Sequence, residues 1–148
     1  MSLVTRPAPD FTKPAILPNG SFEDNYNLYS HIRDKYAVLF FYPLDFTFVC
    51  PSEIIAHSHR AKEFQQRNVE VIGISVDSQF THFAWRNTPI TQGGIGPIDL
   101  TLVADLGGVR CLLCDEGPPR FCHHSPRQAD TEPVSAPVRL YPTVSRWP

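Results

Sequence analysis

No apolar run in the 148-residue sequence approaches the roughly 20 residues of a spanning helix, so a helical membrane span is not expected. The first residues, Met1-Ser2-Leu3-Val4-Thr5-Arg6-Pro7, lack the apolar core of a secretory signal. Asn19-Gly20-Ser21 fits a glycosylation sequon, a reading set aside without such a signal. A net charge of −2 with mixed signs gives no reason to expect nucleic acid or an anionic membrane as partner. Cysteine is scarce: there are four, and only Cys50 precedes position 111. In the cytosol, where thiols stay reduced, these argue for thiol chemistry or metal rather than structural disulfides. We therefore expect a soluble, cytoplasmic protein of one domain's length, which buries roughly 70% of its extended-chain surface when fully folded.

A second set of absences divides the chain. All three lysines, all nine isoleucines and all five asparagines lie before residue 107. The last 42 residues have none of these, yet hold seven of the 15 prolines and three of the four cysteines. Such spacing of proline leaves no window for a good helix. This predicts a structured domain over residues 1–106 and an irregular Pro/Arg/Cys-rich tail over 107–148. Five arginines without a lysine in that tail resemble GC-rich DNA translated out of register. A frameshifted or alternatively ended chain is the expectation.

Within residues 1–106 the apolar pattern is ordered. Residues 1–35 read as loop-rich, with Asn19-Gly20 as a tight turn between two short extended pieces. Tyr36 to Tyr42 is a continuous apolar run, as in a strand buried on both faces of a parallel sheet. Residues 51–67 predict a helix: Pro51 suits its first turn, and Ile54, Ile55, Ser58, Ala61 and Phe64 share a face. Val69 to Val76 predicts a second buried strand. Asp77 or Ser78 then caps a helix to about Asn87, with Phe80, Phe83 and Ala84 inward. Leu100 to Ala104 is a third apolar strand. The order is βαβαβ, an α/β fold with a parallel core. His57 and His59, two residues apart, fall on different sides of their helix and read as surface residues rather than ligands.

Cys50 falls where a central strand ends and a helix begins. In open α/β sheets ligands bind at that edge, and the positive helix end favours a thiolate there. A buried small hydrophobe fits the same position, because free cysteine is among the most buried residue types. The neighbours add to the reactive reading. Thr47 precedes Cys50 by three residues, close enough in a tight loop for hydroxyl and sulfur to share a ligand. Pro43 ends the strand and offers an apolar wall without an N–H donor. Together they can bind an attacked oxygen while bulk water is kept out.

The stretch Pro43-Leu44-Asp45-Phe46-Thr47-Phe48-Val49-Cys50-Pro51-Ser52-Glu53 resembles the Pro-x-x-x-Thr-x-x-Cys motif of typical two-cysteine peroxiredoxins, the group of the alkyl hydroperoxide reductase C subunit. Ala8-Pro9-Asp10-Phe11, Val71 to Ser78, Ala84 to Pro89 and Gly93 to Gly96 extend the likeness over residues 1–106. The resemblance implies a thioredoxin-like fold and a thiol peroxidase without cofactor or metal. Cys50 would be the peroxidatic thiolate that becomes a sulfenic acid, Thr47 would hydrogen-bond the peroxide, and Pro43 would shield the sulfenate. A resolving cysteine of a partner subunit, in a homodimer or higher oligomer, would then form a disulfide. Thioredoxin or a flavoprotein disulfide reductase would reduce it.

Three parts implied by the resemblance have no counterpart in the sequence: a later-strand arginine, a Val-Cys-Pro resolving cysteine, and the last strand with the C-terminal helices. Two rival readings follow. One is a catalytically impaired fragment whose shortened sheet exposes apolar surface. The other is a zinc module of Cys111, Cys114, Cys122 and His123 or His124, disfavoured because its second ligand pair is adjacent rather than spaced. A Cys111-x-x-Cys114 redox motif is opposed by Gly117-Pro118-Pro119, which forbids the helix such a motif opens.

Overall fold

The computed structural model describes residues 7–48 and 50–106. The predicted tail lies outside the described residues, and with it Cys111, Cys114, Cys122, His123 and His124.

Strands β1 (Thr12–Ile16) and β2 (Phe22–Asn27) form an antiparallel hairpin around the predicted Asn19-Gly20 turn. Gly20 takes φ +83°, a left-handed conformation that carries no Cβ penalty in glycine. Helix α1 (Leu28–Ile32) follows directly, its first turn capped by the Asn27 side chain, which accepts from Ser30 N–H at 2.8 Å. Sequence reasoning had placed only loop there, because five residues are too few to display a helical period.

The βαβαβ unit is present as predicted. It comprises β3 (Tyr36–Phe41), α2 (Cys50–His59), α3 (Ala61–Gln66), β4 (Val69–Ser75), α4 (Gln79–Asn87) and β5 (Thr101–Ala104). β3 pairs parallel with β4, Tyr36 opposite Val69, and β4 pairs parallel with β5, Ile72 opposite Thr101. The hairpin extends this core because β1 runs antiparallel to β5, with Ala15 opposite Val103. The sheet order is therefore β2-β1-β5-β4-β3, a mixed sheet rather than a purely parallel one. The helix expected over 51–67 is two helices that meet at Arg60, whose φ of −103° and ψ of 7° interrupt the helical path.

Alternation along the central strands fills both faces. Ala37, Leu39, Ile72, Ile74 and Val103 pack with Phe11, Leu28 and Ile32 on one side. Phe40, Val71 and Leu102 pack with Cys50, Ile54, Ala61 and Trp85 on the other. Each fully buried large side chain contributes about 1.5–3 kcal/mol, so this two-sided burial is what fixes the end of β3.

Helix α4 corrects the predicted inward face. It buries His82, Trp85 and Arg86, while Phe80, Phe83 and Ala84 are exposed. Phe80 and Phe83 instead lie against Phe22 of β2, with ring centroids 5.5 and 5.0 Å away. The rotation has a polar cause: His82 and Arg86 find acceptors inside the fold, and that outweighs the apolar preference of the two phenylalanines. His57 is a second correction. It is half-buried between Phe40 and Phe64, at centroid distances of 5.0 and 6.4 Å, whereas His59 is exposed as expected.

Candidate active site

β3 delivers the chain to the carboxyl edge of the sheet. Tyr42 N–H still donates to the Ile74 carbonyl at 3.0 Å, and then Pro43, with no N–H to offer, ends the pairing. The sequence-predicted residues are placed as follows. Pro43 is exposed at the strand end, Thr47 is half-buried in the connecting loop, and Cys50 is buried as the first residue of α2. Pro51 occupies the first turn, where its missing N–H has no intrahelical acceptor to lose. Cys50 packs in the same apolar cluster as Ile54 and Trp85, so the thiol is buried and also stands at a helix N-terminus.

The loop between Pro43 and Cys50 is shaped by Asp45, a buried carboxylate. Its Oδ1 accepts from the Tyr42 hydroxyl at 2.9 Å, and its Oδ2 lies 2.6 Å from His82 Nδ1 on α4. Its backbone N–H donates to Asp77 Oδ2 at 2.7 Å, and Ser75 Oγ donates to that same oxygen at 3.1 Å. Burial, then the negative charge of Asp45, pushes the Tyr42 hydroxyl well above its ordinary pKa. Tyr42 therefore stays a neutral donor. The next residue, Phe46, is held at φ +54°, costly for a bulky side chain, with its ring 5.9 Å from that of Trp85. Thr47 Oγ1 donates back to the Leu44 carbonyl at 3.1 Å.

Asp45, Tyr42, His82 and Asp77 were not singled out from the sequence as site residues. Asp45 lies inside the quoted motif, but its partner is 37 residues away and no spacing rule links the two. Among the described residues no group of three or more His, Cys, Asp or Glu side chains is arranged to hold a metal. Also among them, no helix is long and apolar enough to cross a membrane.

Residues 4–110 match the AhpC/TSA family. The chain belongs to that family. It is 57% identical over 104 residues to peroxiredoxin-1 of Gallus gallus, covering 70% of this chain and 51% of the relative. It is 50% identical over 104 residues to alkyl hydroperoxide reductase C of Helicobacter pylori, covering 70% of this chain and 52% of that one. Among solved structures, the reduced 2-Cys peroxiredoxin of Plasmodium vivax superposes with a TM-score of 0.68 at 48% identity. That match covers 72% of this chain and 55% of the other. The chain thus has the thioredoxin-like fold of the AhpC/TSA family, and it spans about half the length of the curated relatives it matches.

Proposed function

We propose that this chain is a thiol peroxidase that reduces hydrogen peroxide and organic hydroperoxides at Cys50. The observation that carries the reading is the position of Cys50. It heads α2 at the carboxyl edge of the sheet, behind a loop that presents Thr47 and Pro43, in a chain of the AhpC/TSA family. The Cys50 thiolate attacks one peroxide oxygen, a sulfur–oxygen bond forms, and the O–O bond breaks. The leaving hydroxide or alkoxide takes a proton to become water or an alcohol, and Cys50 is left as a sulfenic acid. Thr47 orients the peroxide, and Pro43 limits water at the sulfur. A second thiol condenses with the sulfenic acid, releasing water and forming a disulfide. Thioredoxin or a flavoprotein disulfide reductase returns both sulfurs to thiols; one similar structure, from Plasmodium yoelii, is titled a thioredoxin peroxidase. A reducing cytoplasm and a homodimer or larger oligomer fit this chemistry.

The test is peroxide consumption by the full chain with thioredoxin, thioredoxin reductase and NADPH. Turnover is expected for the parent and none for Cys50→Ser. Equal consumption by both sinks the proposal.

A further inference from the structure

His82 is fully buried, and both of its ring nitrogens face acceptors. Nδ1 lies 2.6 Å from Asp45 Oδ2 and Nε2 lies 3.3 Å from the Val103 carbonyl oxygen. Tyr42 Oη is 3.5 Å from Nδ1, but its proton is directed to Asp45 Oδ1 at 2.9 Å. A neutral imidazole carries a proton on one nitrogen only, so a lone pair would be left against either a carboxylate or a carbonyl oxygen. With two protons, both contacts become hydrogen bonds, and the one to Asp45 is charge-assisted. Because Tyr42 donates to Oδ1, the Oδ2 of Asp45 is left to face His82 Nδ1 alone.

We propose that His82 is an imidazolium that positions the Cys50 loop, a role that rests on the peroxidase reading above only for its effect on rate. Through Asp45, His82 ties the loop to α4 and, through Val103, to β5. The same residue of the loop is tied to β3 by Tyr42 and to the end of β4 by Asp77. Groups from α4, from just beyond β3 and from just beyond β4 therefore converge on Asp45, with β5 reached through His82, immediately before the left-handed Phe46 and two residues before Thr47. The clamp holds Phe46 in a conformation its side chain disfavours. Without His82 the loop relaxes about Phe46, and Thr47 leaves its place ahead of Cys50.

Two measurements on the full chain decide this. Nitrogen-15 NMR of the His82 ring at neutral pH should show a bonded proton on both Nδ1 and Nε2; a bare nitrogen at either position overturns the imidazolium. His82→Asn keeps one neutral donor and His82→Leu keeps none, so amide exchange at Asp45 and Phe46 should quicken in that order. Cys50 oxidation by hydrogen peroxide should slow by about ten- to a hundredfold in His82→Leu and less in His82→Asn, with both variants still melting cooperatively. A purely structural His82 would lower the melting temperature and leave the rate of the folded protein alone, and that pattern overturns the positioning role. Should His82→Leu fail to fold, the NMR of the parent and the His82→Asn exchange still decide. If the parent itself does not react with peroxide, the peroxidase reading fails, and the ring protons and amide exchange alone judge the clamp.

Discussion

Thr47 directs its hydroxyl proton to the Leu44 carbonyl, 3.1 Å away in the same loop. With that proton committed, the oxygen meets any ligand as an acceptor, and a peroxide carries an O–H to donate. Thr47→Ser preserves both bonds, whereas Thr47→Val preserves the shape and loses both. One neutral hydrogen bond of this kind contributes about 0.5–1.5 kcal/mol, or roughly a two- to tenfold change in rate. Stopped-flow oxidation of Cys50 should therefore slow by that factor in Thr47→Val and stay near the parent rate in Thr47→Ser. A valine variant as fast as the parent removes Thr47 from the reaction.

Gly93 and Gly94 follow α4 and look interchangeable in sequence, but they resist substitution for different reasons. Gly93 has φ +84° with nothing within 4 Å of an added Cβ, so alanine there meets only the left-handed penalty, roughly 1–2 kcal/mol. At Gly94 an added Cβ would lie 1.8 Å from the Thr88 carbonyl oxygen, which is backbone and cannot swing aside. Gly94→Ala should thus cost about 3 kcal/mol or more in urea unfolding, clearly above Gly93→Ala. Equal midpoints for the two variants contradict the close approach of the loop to α4.

How much of this was legible in sequence depends on the distance over which each feature is determined. β3, β4 and β5 were readable because strands buried on both faces become unbroken apolar runs, as in Tyr36–Phe41. The placement of Cys50, Thr47 and Pro43 at one strand–loop–helix junction was readable because all three lie within eight consecutive residues. The face of α4 was not. Its phase is set by His82 meeting Asp45 and by Arg86 meeting carbonyls far away in sequence, and periodicity counts only apolar side chains. Nor was the mixed sheet readable, since β1 joins β5 from the far end of the domain through two residue pairs.

Arg86 makes that long-range reach measurable. From α4 its guanidinium donates to the Ile98 carbonyl at 2.8 Å, to the Leu17 carbonyl at 3.5 Å and to the Pro18 carbonyl, joining the β1–β2 turn to the segment before β5. Arg86→Met keeps the aliphatic stem and leaves these acceptors without their donor. The expected loss is about 1–3 kcal/mol in urea with an unchanged slope. Arg86→Lys, with a single donor head, should fall between the two. A methionine variant as stable as the parent shows that the guanidinium does not secure the turn.

His57 gives stability a dependence on pH whose sign is fixed by its surroundings. Packed on Phe40 and Phe64, the ring is partly desolvated, and this lowers its pKa from the ordinary 6.5, while Glu53 one turn earlier pulls it back up. The unfolded chain then takes up its proton near 6.5, and the folded chain does so only at lower pH. Between those two values the unfolded state binds more protons, so acid favours unfolding. The contribution is complete above 6.5 and is lost as pH falls through the folded value. Urea midpoints at about pH 7.5 and about pH 5 should accordingly drop further in the parent than in His57→Gln, whose side chain does not titrate. Carboxylates remote from the ring contribute equally to both proteins, and the difference reads His57 together with its neighbour Glu53. An identical drop in parent and variant assigns the acid sensitivity elsewhere and places His57 in solvent at both values.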